Sequence, residues 1–343
     1  MELINGISRM PGCERRPLYL ALGNFDGVHR GHQAIIRTVV AKARTAAGSS
    51  AALIFDPHPS FLLRKDCSFA LLNDIVDRAE LMAALDLDYC IVEPFTAEMS
   101  VLSPERFVHD ILSRRLKVGG VVVGYDYSFG LGGKGSADMM SCWGKELGFS
   151  VDICPLVEYN RKIVSSSKIR SLLLTGHVGE AAELLNYYFF RRGKVIKGEG
   201  IGKKMVYPTA NIAVLPRLIQ PGKGVYLTAV SGAGMGNLCF GVTNVGEKPT
   251  FSLAQPEMET YILDYEGDLY HREICLYFLE KLRDTQAFSS PKILKEQIGL
   301  DILKARDLIG AHYYKLRTDA HSCTNRSDGT NRLQLGLMQP LKT

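Results

Sequence analysis

The run Gly23-Asn24-Phe25-Asp26-Gly27-Val28-His29-Arg30-Gly31-His32 concentrates residue types suited to phosphate chemistry. Its glycines let the backbone turn sharply and approach a ligand closely. A helix starting inside it would offer free amides and the positive end of its dipole to an anion. His29 and His32, three apart around Gly31, can both face such an anion and donate hydrogen bonds as its charge shifts. A His-x-Gly-His string is short enough to arise by chance, and a buried structural histidine is commoner. Its place after the first predicted strand is what gives it weight.

Other candidates are ambiguous when taken singly. Ser165, Ser166 and Ser167 read most simply as a helix cap. Arg170, one turn on, offers a bidentate phosphate grip that lysine cannot copy. In Pro208-Thr209-Ala210-Asn211, the plain reading is a turn. Glu259 alone is an exposed strand carboxylate. The basic cluster Arg191, Arg192, Lys194, Lys197, Lys203 and Lys204 is either a solvated face or a phosphate site.

The elements that must position these residues change character midway. In the first half, Leu18–Leu22 and Ala51–Phe55 have strand length and apolar content, and Ala34–Ala47 between them carries a helical period. Tyr89–Val92, Val118–Val123 and Phe149–Cys154 continue the alternation, which predicts a doubly wound parallel sheet covered by helices on both faces. Helices Lys168–Thr175 and Gly179–Leu185 follow, separated at Gly176. Beyond Tyr187–Gly193 come six short strands with glycine- and proline-rich turns: Gly193–Lys197, Thr209–Val214, Gly224–Val230, Asn237–Val245, Met258–Asp264 and Glu273–Leu279. Without intervening helices they predict a small closed antiparallel barrel. Leu294, Ile298, Ile302, Ala305 and Ile309 then mark one C-terminal amphipathic helix packed on it. The expected domains are 1–186 and 187–316, with a disordered polar tail over 317–343.

With 343 residues, 46% hydrophobic and 22% charged, the chain suits two soluble domains. No apolar run approaches a membrane span, and the first twenty residues lack a signal-type apolar stretch. Eight scattered cysteines without a Cys-x-x-Cys pair point to reduced thiols and a cytoplasmic protein. The net charge of +5 suits anionic small molecules. No basic aromatic face or groove-reading helix suggests nucleic acid, and no feature sets an oligomeric state.

Four motifs in order carry a resemblance. Gly23–His32 resembles the signature of the flavin-specific branch of the HxGH nucleotidyltransferases. Phe55-Asp56-Pro57-His58-Pro59, Val123–Gly130 and Val164-Ser165-Ser166-Ser167-Lys168-Ile169-Arg170 match its later motifs. In the second half, Pro208–Asn211, Gly224-Val225-Tyr226, Gly241–Phe251, Glu257–Asp264, Gly267–Tyr270 and Leu282-Arg283-Asp284 are similar to a riboflavin kinase domain. Together they resemble the bifunctional riboflavin kinase/FAD synthetase family.

That resemblance implies phosphorylation of riboflavin to FMN, then adenylylation of FMN to FAD, with ATP and Mg²⁺. It implies catalytic roles for His29, His32 and Arg170 in one site and for Glu259, as base, in the other. Gly23, Asn24, Phe25, Asp26, Gly31 and Ser165–Ser167 are expected at ATP in the first site, and Lys203, Thr209 and Asn211 in the second. Thr209 and Asn211 are also the expected metal ligands. Asp56, Pro57, His58, Asp126, Phe129 and Arg283 are expected on the flavin side. The chain departs from the family at Gly202–Tyr207, where lysines and Val206 replace arginine and glycine, and at Leu185–Phe189. Two rivals remain: a monofunctional FAD synthetase with a non-catalytic barrel, and a non-enzymatic flavin-binding or regulatory protein.

Overall fold

The computed structural model describes residues 1–10, 16–63, 69–196, 209–215, 217–232, 235, 237–247 and 256–313. The chain divides into two compact units, Met1–Ser166 and Ser167–Thr343.

The first unit is built on a parallel sheet. Its strands are β1 (Glu2–Asn5), β2 (Leu18–Leu22), β3 (Ser49–Asp56), β4 (Tyr89–Pro94), β5 (Val118–Gly124) and β6 (Ser150–Cys154). They lie in the order β1-β4-β3-β2-β5-β6, every pair parallel. Alternation along the strands decides which side chain goes where. Leu18, Leu20, Leu22, Val121 and Val123 join one apolar cluster with Phe107, Ile111 and Leu112 of a π-helix, Phe107–Arg115. Ala21, Ala52 and Val122, of the other parity, are equally buried. Helix α1 (Arg30–Thr45) packs against β2, β3 and β5, burying Ile36, Val39 and Val40. Helix α2 (Ile75–Ala83) is capped by the Asp74 side chain, and α3 (Ala137–Leu147) by Ser136; α3 stops at left-handed Gly148.

The strand order reverses beside β2, because β3 and β4 run away from it on one side and β5 and β6 on the other. Ligands of open α/β sheets bind outside the carboxyl ends of the strands at such a reversal. The loop after β2, Gly23–His29, is at that place. Strand β1 went unpredicted: four residues, only Ile4 of them buried, give no alternation to read.

The second unit holds α4 (Ser166–Leu174, from Ser167 on), α5 (Val178–Leu185) and a barrel. The barrel strands are β7 (Phe190–Ile196), β8 (Ala210–Ile212), β9 (Gly224–Gly232), β10 (Cys239–Glu247), β11 (Pro256–Ile262) and β12 (Glu273–Arg283). They close in the order β7-β8-β11-β10-β9-β12, all antiparallel. Glycine is required where β7 crosses β8: a Cβ at Gly193 would lie 2.3 Å from Ile212 Cγ2 and 2.4 Å from the Ala213 carbonyl. Helix α6 (Pro291–Leu308) packs on β10 and β12 and buries Ala305 and Asp301. The stretch expected as a tail lies outside the described residues.

One basic residue of the sequence cluster is not solvated. Arg191 is 1% exposed, lies over the Phe189 ring, and donates to the carbonyls of Ile219 and Phe190. Arg283, expected on the flavin side, forks onto Asp301, with Nε 2.8 Å from Oδ1 and Nη2 2.7 Å from Oδ2. That pair ties β12 to α6.

Candidate active sites

The first site grows from the turn that ends β2. Phe25 and Val28 have φ of 48° and 35°, a left-handed region costly for residues with large or branched side chains. Each such residue costs about 1–3 kcal/mol unless its surroundings hold it. Here both side chains are essentially fully buried, which offsets that cost. The strained turn delivers His29 to the N-cap of α1, where its Nδ1 accepts the His32 backbone N–H at 3.3 Å. A ring nitrogen that accepts carries no proton, which leaves the ring proton of a neutral His29 on Nε2.

His32 stacks on His29, ring centroids 3.6 Å apart and planes 16° apart, and meets the Phe25 ring edge-on at 5.3 Å. Gly31 permits this: a Cβ there would come within 3.3 Å of the His29 ring. Burial first, then the neighbouring His29 and Arg78, holds the His32 imidazole well below its ordinary pKa. His32 is therefore neutral near pH 7, and its buried Nδ1 has no hydrogen-bond partner among the described residues.

The remaining residues of the first unit separate into those facing the turn and those behind it. The Ser166 hydroxyl donates to the Asp26 carbonyl at 2.8 Å, which places this serine of the motif at the glycine-rich turn. The Asp26 carboxylate, however, is 2% exposed and accepts the backbone N–H groups of Leu72 and Asn73. It staples the segment before α2 to the turn. Asp126 is exposed just past β5, beside the reversal point, and Asp56 and Pro57 are exposed at the end of β3. His58 is buried against Phe69 and Phe61. Phe129 belongs to the sheet core, packed on Phe107 and Tyr127. Ser167 and Arg170 ride on α4 in the second unit.

Arg78 of α2 escaped the sequence reading. It is fully buried, and its Nη1 donates to the Asn24 carbonyl at 2.8 Å. The signal available was a cation on the inward stripe of a short helix, between Ile75 and Met82.

The second site lies on the barrel wall. The ladder sets Asn211 of β8 opposite Glu259 of β11, and Asn244 of β10 opposite Glu259 on its other side. Directly opposed residues point to the same face. The Thr209 hydroxyl donates to the Glu259 carboxylate. A hydroxyl, two amides and one carboxylate thus converge from three neighbouring segments. On the alternate residues, the buried hydroxyls of Thr228, Thr243 and Thr260 form a chain with contacts of 2.8 and 2.6 Å. Each satisfies the next, so the interior carries no unmet hydroxyl along this row. Lys203 and the departing loop Gly202–Tyr207 lie outside the described residues.

Fold and sites together define a two-unit protein: an α/β nucleotidyltransferase-type unit with a histidine pair, and a closed barrel with a carboxylate on its wall. The FAD synthetase family model matches residues 13–168, and the riboflavin kinase model matches residues 185–309. The bifunctional riboflavin kinase/FMN adenylyltransferase of Escherichia coli strain K12 is 33% identical over 90% of this chain and 98% of its own length. That of Listeria monocytogenes is 36% identical over 82% and 89%. This chain belongs to the bifunctional riboflavin kinase/FMN adenylyltransferase family.

A solved structure described as a macrolide-efflux protein from Streptococcus pneumoniae superposes with a TM-score of 0.80 at 26% identity. It covers 89% of this chain and 98% of its own. Among the described residues here, no helix is long and apolar enough to cross a membrane.

Proposed function

We propose that the chain phosphorylates riboflavin with ATP to give FMN in its barrel, and adenylylates FMN with a second ATP in its α/β unit. The observation that carries this reading is the existence of two separate constellations, each fitted to one phosphate reaction. The labour divides between 1–186 and 187–316; the family models end at 168 and begin again at 185.

In adenylyl transfer, an FMN phosphate oxygen bonds to the α-phosphorus of ATP while the bond to the β-phosphate oxygen breaks and pyrophosphate leaves. The nucleophile is already an anion, so the protein supplies position and charge stabilisation rather than a base. The His29 Nε2–H, set by the cap hydrogen bond, donates to a phosphate oxygen, and neutral His32 supports it by stacking. The backbone of Gly23–Asp26, Gly31, Ser165 and Ser166 cradles the nucleotide. Ser167 and Arg170 are assigned to phosphate by their motif. Asp56, Pro57, His58 and Asp126 are assigned to the flavin side, with Phe129 backing that wall from the core.

In phosphoryl transfer, Glu259 orients the ribityl hydroxyl and accepts its proton as that oxygen attacks the γ-phosphorus and ADP leaves. Thr209 and Asn211 beside Glu259 form a sparse hard-oxygen set, which fits Mg²⁺ because that ion keeps places for phosphate and water. They would hold it, and it would neutralise charge on the ATP phosphates. Lys203 is assigned to the same phosphates and Arg283 to the flavin side by motif. A cytoplasmic location belongs to the same proposal.

Incubating the full chain with riboflavin, ATP and Mg²⁺ and separating the flavins tests the reading. FMN followed by FAD is expected. FAD from supplied FMN, with none from riboflavin, would instead leave the barrel as a non-catalytic module.

A further inference from the structure

Arg78 is an expensive residue to bury. A guanidinium stays charged in proteins and loses its hydration when enclosed. Its exposure is 0%, and one terminal nitrogen, Nη2, has no hydrogen-bond partner among the described residues. Burial lowers its pKa first, and the carboxylates of Asp26, Asp56 and Asp74 act in the opposite direction.

What Arg78 touches is the start of the strained turn. Nε reaches the Asp74 carbonyl at 3.3 Å and Nη1 the Asn24 carbonyl at 2.8 Å. The Asn24 carbonyl belongs to the peptide joining Asn24 to Phe25, and the plane of that peptide sets the positive φ of Phe25. Phe25 in turn places its ring edge-on to His32, which stacks on His29. The contacts are continuous from guanidinium to histidine pair. A lysine in this place would keep the charge but lose the planar fork that reaches two carbonyls at once.

We propose that Arg78 is a positioning residue for adenylyl transfer, fixing the Asn24–Phe25 peptide so that Phe25 seats His32 and His29 in register with the ATP phosphates. This rests on the reading of the first unit as the FMN adenylyltransferase. Arg78 itself touches no substrate; it acts through Asn24 and Phe25.

The test uses the full chain carrying Arg78→Met, Arg78→Lys or Phe25→Leu, and the Arg78→Met/Phe25→Leu double variant. FAD formation from supplied FMN is measured together with FMN formation from riboflavin on the same preparations. Misplacing reacting groups by about an ångström costs up to about a hundredfold, so Arg78→Met should lower kcat for FAD formation about ten- to a hundredfold. KM for ATP and FMN should stay within about twofold, because the loss is in the transition state. Arg78→Lys should recover only part of the rate. The double variant should be little worse than the worse single, since both act on one link. FMN formation should not change in any of them.

Wild-type kcat for FAD formation in Arg78→Met, or additive losses in the double variant, would overturn the proposal. Should Arg78→Met fail to fold, a wild-type kcat in Arg78→Lys overturns it equally. A wild-type chain that makes no FAD from FMN defeats the functional reading itself, an outcome distinct from either.

Discussion

The Thr209 hydroxyl donates its hydrogen bond to the Glu259 carboxylate across the β8–β11 ladder, with Asn211 the register partner of Glu259. A carboxylate held this way has one oxygen engaged and its orientation constrained.

Glu259→Gln keeps the shape and the hydrogen bond but removes the charge that would take the hydroxyl proton. FMN formation from riboflavin should fall about a hundred- to ten-thousandfold, the usual cost of losing a general base. FAD formation from supplied FMN should stay at the wild-type rate. Parallel loss of both rates in a folded variant would show that one site serves both reactions.

His29 caps α1, and the proposed function adds a donor role for its ring; substitution can separate the two. His29→Ala removes both the cap of α1 and the ring donor, and capping loss costs about 0.5–2 kcal/mol. His29→Asn restores a good cap without the imidazole. Thermal unfolding should therefore return to wild type in His29→Asn, while FAD formation stays depressed in both variants. Recovery of activity with the cap would sink the donor role.

The His32 shift carries a pH signature. Its folded pKa is depressed below 6.5, first by burial and then by His29 and Arg78. The unfolded chain thus binds the proton more readily than the folded one, and stability rises with pH between the folded pKa and 6.5. This contribution is complete above pH 6.5 and is lost as pH falls through the folded pKa. Denaturant melts of His32→Gln between pH 7.5 and 5 should show a shallower loss than wild type. Equal slopes would place the acid sensitivity elsewhere.

The Arg283–Asp301 fork should be a stability element of the barrel. The two side chains are 16% and 4% exposed, so breaking the pair leaves a charge nearly buried. Asp301→Ala should cost about 3–5 kcal/mol and lower the unfolding temperature of the kinase activity, while FAD formation from FMN persists. A change below about 1 kcal/mol, the range of exposed pairs, would mean that solvent already screens the fork.

Strand and helix patterns in the sequence were enough to determine the two architectures, since the apolar runs at β2 and β5 and the three-to-four spacing in α6 are local properties of the chain. The order of motifs was enough for the family. Edge strand β1 was not legible, because four residues with one buried side chain leave no pattern. What only tertiary structure decided was which distant segments the side chains of candidate residues meet. Asp26, Phe129, Arg191 and Arg283 all have types that could bind substrate. In the fold, Asp26 accepts two backbone amides, Phe129 packs in the sheet core, Arg191 donates to two backbone carbonyls and Arg283 pairs with a buried carboxylate. Arg78, silent in sequence, lies against the glycine-rich turn from a helix 54 residues further along. The reason is that a polar side chain's partner depends on which segments the fold packs together. A side chain's face within its own element depends on spacing alone.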